Sequence, residues 1–262
     1  LIAPFRPCDT GSSILYTSTM IIEMLMSFWT VFTTTVYTML LGIPVIVTAL
    51  FSKTGCIPYR LGLAWAWLIM KTNRVGIQIE GFEKLVRTRS YVFISNHASN
   101  LDPPAIALAL HNQLRFVGKK SLAKIPVFGW AVKMARMILI DRSDSLSARN
   151  SINKAVIELK NGISACFFAE GTRSLDGRLQ KFKKGGIMLA LKAKLPIVPL
   201  TIIGSNTLLP KNAVRIKSGV VRIIVGDPID TSAFSEKDRD ALLDAVRSVI
   251  KGNLHRLSQA YS

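Results

Sequence analysis

Cysteine is scarce in this chain, and acid is scarcer than base. The 262 residues hold three cysteines, Cys8, Cys56 and Cys166. An odd count with no Cys-x-x-Cys spacing argues against a disulfide framework and against a structural zinc site. Cys166 lies in the apolar run ISACFF and reads as a small buried side chain. No cluster of metal-ligating residues is visible, so neither a metal nor a cofactor is expected. No internal repeat or low-complexity linker divides the chain. Aromatic-interleaved RNA-binding motifs and zinc-finger spacings are also missing, so nucleic acid is not the expected partner of its positive charge. The chain starts at Leu1 rather than Met, so a missing or processed N-terminus is expected.

Acidic residues number 16 against 34 Lys and Arg, a net charge of +18. Most of that excess is local, because residues 111–222 carry 21 Lys/Arg and 5 Asp/Glu. Such a field attracts nucleic acid, anionic lipid or a phosphorylated substrate, and charge alone does not choose among them. Charge of either sign is absent over the 29 positions from Met24 to Ser52. About 20 apolar residues suffice to span a bilayer, so this run is a candidate membrane helix. Its threonines can return their hydroxyls to the preceding helical turn. Gly42 and Pro44 are candidate kinks. A second apolar piece, residues 57–73, is too short to span and carries Trp65 and Trp67, which suits an interfacial or re-entrant helix. Lys53, Arg60, Lys71 and Arg74 come after the long run, while Arg6 and Asp9 precede it. This order disfavours a cleaved signal peptide and places the C-terminal part of the chain on the cytoplasmic face.

From about residue 75 strand and helix patterns alternate. Strands are expected at 76–80, 91–95, 114–119, 137–140, 163–168 and 196–203. Helices are expected from Asp102, over 145–162 with Ile152, Val156, Ile157 and Leu159 inward, over 185–194, and from Ser235 to the end. Ser235 and Asp238 have capping-box spacing. Residues 213–226, AVRIKSGVVRIIVG, read as a hairpin turning at Ser218–Gly219. The fold class is therefore α/β, a mostly parallel sheet covered by helices behind an N-terminal membrane-anchoring segment. The chain divides into two domains, 1–74 as anchoring helices and 75–262 as an α/β domain.

Function collects beyond the C-terminal ends of strands in such sheets. The loops after 91–95 and 163–168, NHASNLD and AEGTRSLDGR, would share one edge. His97 and Asp102 are five residues apart, about 140° around a helix, so a compact loop must join them if they act together. Asp102 suits a helix start, with Pro103 and Pro104 after it. The pair is either a capped helix start beside an incidental histidine, or a base held by a carboxylate. In the second loop Gly171 permits close approach, Glu170 can accept a hydrogen bond from a hydroxyl, and Arg173 offers a fork that suits phosphate. Either this is a binding site or a solvated basic loop. Residues 116–142 mix Lys119, Lys120 and Lys124 with an apolar aromatic helix, which suits either lipid headgroups or a core helix with a basic rim.

Taken together, these stretches resemble the glycerolipid acyltransferase family, and within it the lysophosphatidic acid acyltransferases. Asn96, His97 and Asp102 match its N-H-x4-D motif. Lys119, Pro126, Gly129 and Arg142 match its second motif. Phe168, Glu170, Gly171, Thr172, Arg173 and Ser174 match its third, with Ala169 where the family has proline, a change expected to loosen that turn slightly. Val198 and Pro199 match its fourth. The likeness covers roughly residues 75–230. It implies acyl transfer from an acyl-coenzyme A or acyl-carrier-protein thioester to the sn-2 hydroxyl of lysophosphatidic acid. His97 and Asp102 would be catalytic. Asn96, Lys119, Arg142, Glu170, Gly171, Thr172, Arg173, Ser174 and Pro199 would bind substrate. Membrane lipids would be the remaining partners, and the enzyme would need no metal.

Overall fold

The computed structural model describes residues 10–141, 144–159 and 162–260. Two helices come first, α1 (Thr10–Ala49) and α2 (Cys56–Thr72). Next come β1 (Val75–Glu80), β2 (Val92–Ser95), α3 (Asp102–Ala109), β3 (Gln113–Lys119), α4 (Phe128–Met134) and β4 (Ile138–Ile140). The rest is α5 (Ser145–Glu158), β5 (Ile163–Phe168), α6 (Gly185–Ala193), β6 (Ile197–Ile203), α7 (Ser205–Leu208), β7 (Gly219–Val225) and α8 (Arg239–Ala260). The strands form one seven-stranded sheet in the order β1-β7-β6-β2-β5-β3-β4. Every pairing is parallel except β6 with β7.

Both faces of the sheet are covered, which is why β2 is apolar at consecutive positions rather than alternate ones. Phe93 points with Leu101, Ile106, Phe116 and Cys166 into the core beneath α2 and α3. Val92 and Ile94 point with Phe167, Ile187, Val246 and Ile250 into the core beneath α5, α6 and α8. The expected capping box is present, with Ser235 and Asp238 bonded to each other's backbone just before α8.

Two local expectations need correcting. Residues 213–218 form no strand, so there is no hairpin at Ser218–Gly219. β7 already has β1 on one edge and β6 on the other, which leaves no edge for them. Ile216 alone of that stretch is buried in the core. In α5, Ile152, Val156 and Leu159 pack inward, but Ile157 is 73% exposed. One residue on from Val156 means about 100° around the helix, off the apolar stripe. One side of α2 packs on the sheet. Ile69 and Met70 are buried in one core with Val75, Phe93 and Leu101, each such burial contributing about 1.5–3 kcal/mol. Trp67 alone of its two tryptophans stays open, at 54% exposure.

The threonines of α1 sort by face. Thr30, Thr33, Thr38 and Thr48 each donate to a carbonyl four residues back, at 2.7–3.0 Å. Thr38 also accepts from the Trp65 indole at 3.0 Å, and Tyr37 bonds the Thr72 hydroxyl at 2.8 Å. The polar groups are thus turned toward α2. On the opposite side Phe28, Trp29, Phe32, Leu40 and Ile43 are exposed. The stretch Met20–Ala49 is long and apolar enough to cross a membrane.

Candidate active site

β2 and β5 end level with each other, Ser95 opposite Phe168, so their two loops leave the sheet side by side. Asn96 extends the sheet with its side chain. Its Oδ1 accepts from the Ile202 N–H at 2.8 Å and its Nδ2 donates to the Ile202 carbonyl at 2.9 Å. The amide imitates one more ladder residue while the main chain turns outward.

His97 is then held on four sides. Its N–H donates to Glu170 Oε1 at 2.9 Å, and its carbonyl accepts from the Ser174 N–H at 2.8 Å. Its ring stacks on Phe168, centroids 4.0 Å apart and planes 22° apart. Its Nδ1 donates to Asp102 Oδ2 at 2.8 Å. A carboxylate can only accept, so Nδ1 carries a proton, and in the neutral ring the lone pair is then on Nε2.

Asp102 is fully buried. Its Oδ2 also accepts from the N–H groups of Ala98 and Ser99, at 2.8 and 2.9 Å. This is the compact loop that the five-residue spacing requires. Asp102 is not the N-cap, however. Leu101 takes that position and Asp102 is the first helical residue, with no side-chain bond into the helix. The reason is chemical. Were Asp102 the cap, the second and third helical residues would be Pro104, which has no N–H, and Ala105, whose N–H already donates to the Leu101 carbonyl at 3.0 Å. No N–H is left there for the carboxylate, and it turns back onto the loop.

Glu170 braces both loops. Besides the His97 N–H, it accepts the Gln180 N–H on Oε2 at 3.1 Å. Burial raises its carboxyl above the usual range, against the pull of those two N–H groups. Both oxygens are engaged by main chain rather than held open for a substrate hydroxyl. Glu170→Gln must set an amide donor against one of the two N–H groups. We expect a loss of about 1–3 kcal/mol, read by chemical denaturation, together with lower turnover from a slackened His97 loop.

Ala169 does not loosen the turn. Its N–H donates to the Ser95 carbonyl at 2.9 Å, continuing the β2–β5 ladder, a bond that proline lacks. Gly171 comes next but one, with a φ of +72°, and the Lys183 side chain passes 3.0 Å from where a Cβ would stand.

Residues 76–203 match the family model described as acyltransferase. A chloroplastic 1-acyl-sn-glycerol-3-phosphate acyltransferase of Brassica napus is 36% identical over 182 residues, covering 69% of this chain and 51% of that protein. The Saccharomyces cerevisiae protein named 1-acyl-sn-glycerol-3-phosphate acyltransferase is 31% identical over 184 residues, covering 66% of this chain and 60% of that protein. The crystal structure of the 1-acyl-sn-glycerophosphate acyltransferase of Thermotoga maritima superposes with a TM-score of 0.70 at 26% identity, covering 91% of this chain and 97% of that one. The chain belongs to the acyltransferase family. It spans about half the length of the Brassica relative.

The remaining family positions are distributed unevenly in this acyltransferase. Thr172 is exposed and Arg173 half-buried on the Gly171 loop. No described carboxylate is paired with the Arg173 guanidinium. Ser174 is buried, its hydroxyl bonded to Asp176 Oδ1 at 3.0 Å. Lys119 ends β3, on the same sheet edge but one strand beyond β5, exposed and unconnected to His97. Pro199 lies inside β6 opposite Ile94, away from the edge. Its carbonyl accepts from Gly226 at 2.8 Å, and its missing N–H faces the same way, just past the end of the β6–β7 ladder. Arg142 lies outside the described residues. Among the described residues no three His, Cys, Asp or Glu side chains are grouped as metal ligands.

Two participants have no signature in the sequence. The role of Phe168 as the floor under the imidazole emerges only from the level ends of β2 and β5. Ile202, the backbone partner of Asn96, is 106 residues away.

Proposed function

We propose that this acyltransferase moves a fatty acyl group from an acyl thioester, of coenzyme A or an acyl carrier protein, to the sn-2 hydroxyl of lysophosphatidic acid. The observation that carries the reading is the buried Asp102 carboxylate on His97 Nδ1, with Arg173, unpaired among the described residues, on the adjoining loop that donates the Ser174 N–H to the His97 carbonyl. The printed names of the relatives support the same acceptor.

The chemistry is set by the atoms. As the sn-2 oxygen attacks the thioester carbonyl, its proton passes to His97 Nε2 and an oxygen–carbon bond forms. Asp102 stabilises the resulting imidazolium and holds the ring in its tautomer. The tetrahedral centre collapses, the carbon–sulfur bond breaks, and Nε2 returns the proton to the leaving sulfur. No protein nucleophile takes part. Cys166 is fully buried and its thiol is pushed up by burial, which suits packing and not attack. Arg173 receives the acceptor's phosphate, while Asn96, Glu170 and Ser174 hold the His97 loop in place. Thr172 and Lys119 remain available to substrate on the same edge.

The first 74 residues serve as the anchor and 75–262 as the transferase, with α2 joining the two. The apolar outer side of α1 and the exposed Trp67, Ile125 and Trp130 face lipid. The lysines and arginines after α1 set the catalytic domain on the cytoplasmic face.

The test is thiol release from both donors with a panel of acceptors. We expect turnover with lysophosphatidic acid. In Arg173→Ala the acceptor KM should rise about 10- to 100-fold, because a charge-assisted bond is lost. Equal turnover of lysophosphatidic acid and lysophosphatidylcholine by the wild type would sink this choice of acceptor.

A further inference from the structure

Lys211 belongs to none of the four family motifs. It lies on a turn over Pro210–Ala213, closed by the Ala213 N–H on the Pro210 carbonyl at 3.1 Å. Asn212 takes the left-handed position of that turn, φ 73°. The turn is anchored to the catalytic loop, because the Ser99 hydroxyl donates to the Leu209 carbonyl at 2.8 Å. Lys211 is therefore presented on a built support.

Its ammonium donates to the Arg173 carbonyl at 3.0 Å. The same peptide group gives its N–H, that of Ser174, to the His97 carbonyl at 2.8 Å. One peptide unit thus stands between Lys211 and the backbone of His97. Counting the bonds through it, the ammonium is no farther than about 8.5 Å from the His97 carbonyl oxygen. A lysine ammonium has three donors and this bond uses one.

The charge around this peptide is not balanced. Lys211 has no carboxylate partner among the described residues, and neither does Arg173. The Lys183 side chain crosses Gly171, with its Nζ 3.2 Å from where a Cβ would stand, and it too lacks a paired carboxylate among the described residues. Lys211 and Lys183 thus reach the Gly171–Arg173 loop from two other segments, and like charges brought to one loop repel each other unless an anion joins them. A phosphate monoester carries about −1.5 to −2 charges at pH 7, a diester only one. In lysophosphatidic acid four covalent bonds separate the sn-2 oxygen from phosphorus, so the phosphate must sit near the base.

We infer that Lys211 is a specificity-determining residue. Together with Arg173 it binds the acceptor's phosphate, and it selects a monoester over a phosphodiester headgroup. The inference rests on the lysophosphatidic acid reading of the acceptor.

The experiment compares wild type, Lys211→Met and Lys211→Arg, full chain in detergent micelles, on lysophosphatidic acid and on monoacylglycerol. The expected result is a KM for lysophosphatidic acid raised roughly 10- to 100-fold in Lys211→Met, with kcat within about threefold and most of the loss recovered in Lys211→Arg. The KM for monoacylglycerol should not move. An unchanged KM for lysophosphatidic acid overturns the inference. So does a kcat that falls alike for both acceptors, since that makes Lys211 only a brace for His97. A wild type that leaves lysophosphatidic acid unacylated defeats the acceptor assignment instead. Dodecyl phosphate then decides the Lys211 question alone. Its rise in Tm should be present in wild type and largely lost in Lys211→Met, and an equal rise in both overturns the inference.

Discussion

Replacing His97 with alanine lowers turnover of an acyl thioester with lysophosphatidic acid by about 10³-fold or more. General-base contributions alone are commonly about 10²–10⁴-fold. In the proposed mechanism the base and the acid of the two half-steps are one imidazole, so removing it removes both. The fold should survive. The main-chain bonds of residue 97 to Glu170 and Ser174 do not depend on its side chain. Asp102 keeps the N–H groups of Ala98 and Ser99. Circular dichroism and thermal melting should therefore be near wild type while steady-state turnover collapses. A His97→Ala protein that keeps its turnover would remove His97 from the mechanism.

Asp102→Asn carries the second largest effect, and it separates charge from shape. The asparagine carbonyl can occupy the place of Oδ2 and keep all three hydrogen bonds. Its NH2 then falls where Oδ1 lies, a buried atom that has no hydrogen-bond partner among the described residues. An unsatisfied buried donor costs about 1–3 kcal/mol, so a lower Tm is expected. The imidazolium loses its counter-charge, and turnover should fall by about 10²–10⁴-fold. The two groups act as a unit. Adding Asp102→Asn to His97→Ala should therefore produce little further loss, far short of the product of the single effects. Multiplying effects would mean that Asp102 acts apart from His97.

How much of this was legible in the chain depended on distance along it. The His97–Asp102 spacing and the two prolines are local, and a compact loop with the carboxylate on the imidazole could be read from them. That Asp102 has no capping role needed the position of Leu101 at the helix start, where its carbonyl takes the Ala105 N–H. The strand pattern of β2 and β5 put both motif loops on one edge, because continuous apolar runs mark central parallel strands. The 213–218 stretch misled for the opposite reason. Its alternation resembles a strand, but alternation says nothing of whether a sheet edge is free to receive it. Ala169 misled through analogy, since the gain of one N–H to Ser95 is visible only once β2 lies beside β5. Glu170 was legible as a site residue but not as a brace. Its partners are the main-chain N–H groups of His97 and Gln180, and a main-chain donor has no letter in the sequence. Lys211 stands 38 residues from Arg173 and meets it only through the turn after α7.

The same logic explains the N-terminal helix. Its threonines weaken a hydropathy reading, yet Thr30, Thr33, Thr38 and Thr48 each return a hydroxyl to the preceding turn. The outer face is left almost wholly apolar. With the proposed acceptor and product both in lipid, the catalytic edge has to be held at a bilayer surface. α2 joins α1 to the core that carries His97 through the burial of Ile69 and Met70.

Direct transfer is the central claim, and acceptor-dependent thiol release tests it most directly. The full chain in lipid vesicles is mixed with radiolabelled acyl-coenzyme A, or acyl carrier protein, with and without lysophosphatidic acid. The account predicts thiol release only when the acceptor is present, one phosphatidic acid formed per thiol, and no label on the protein. A burst of thiol without acceptor, with the acyl group retained on the chain, would contradict it.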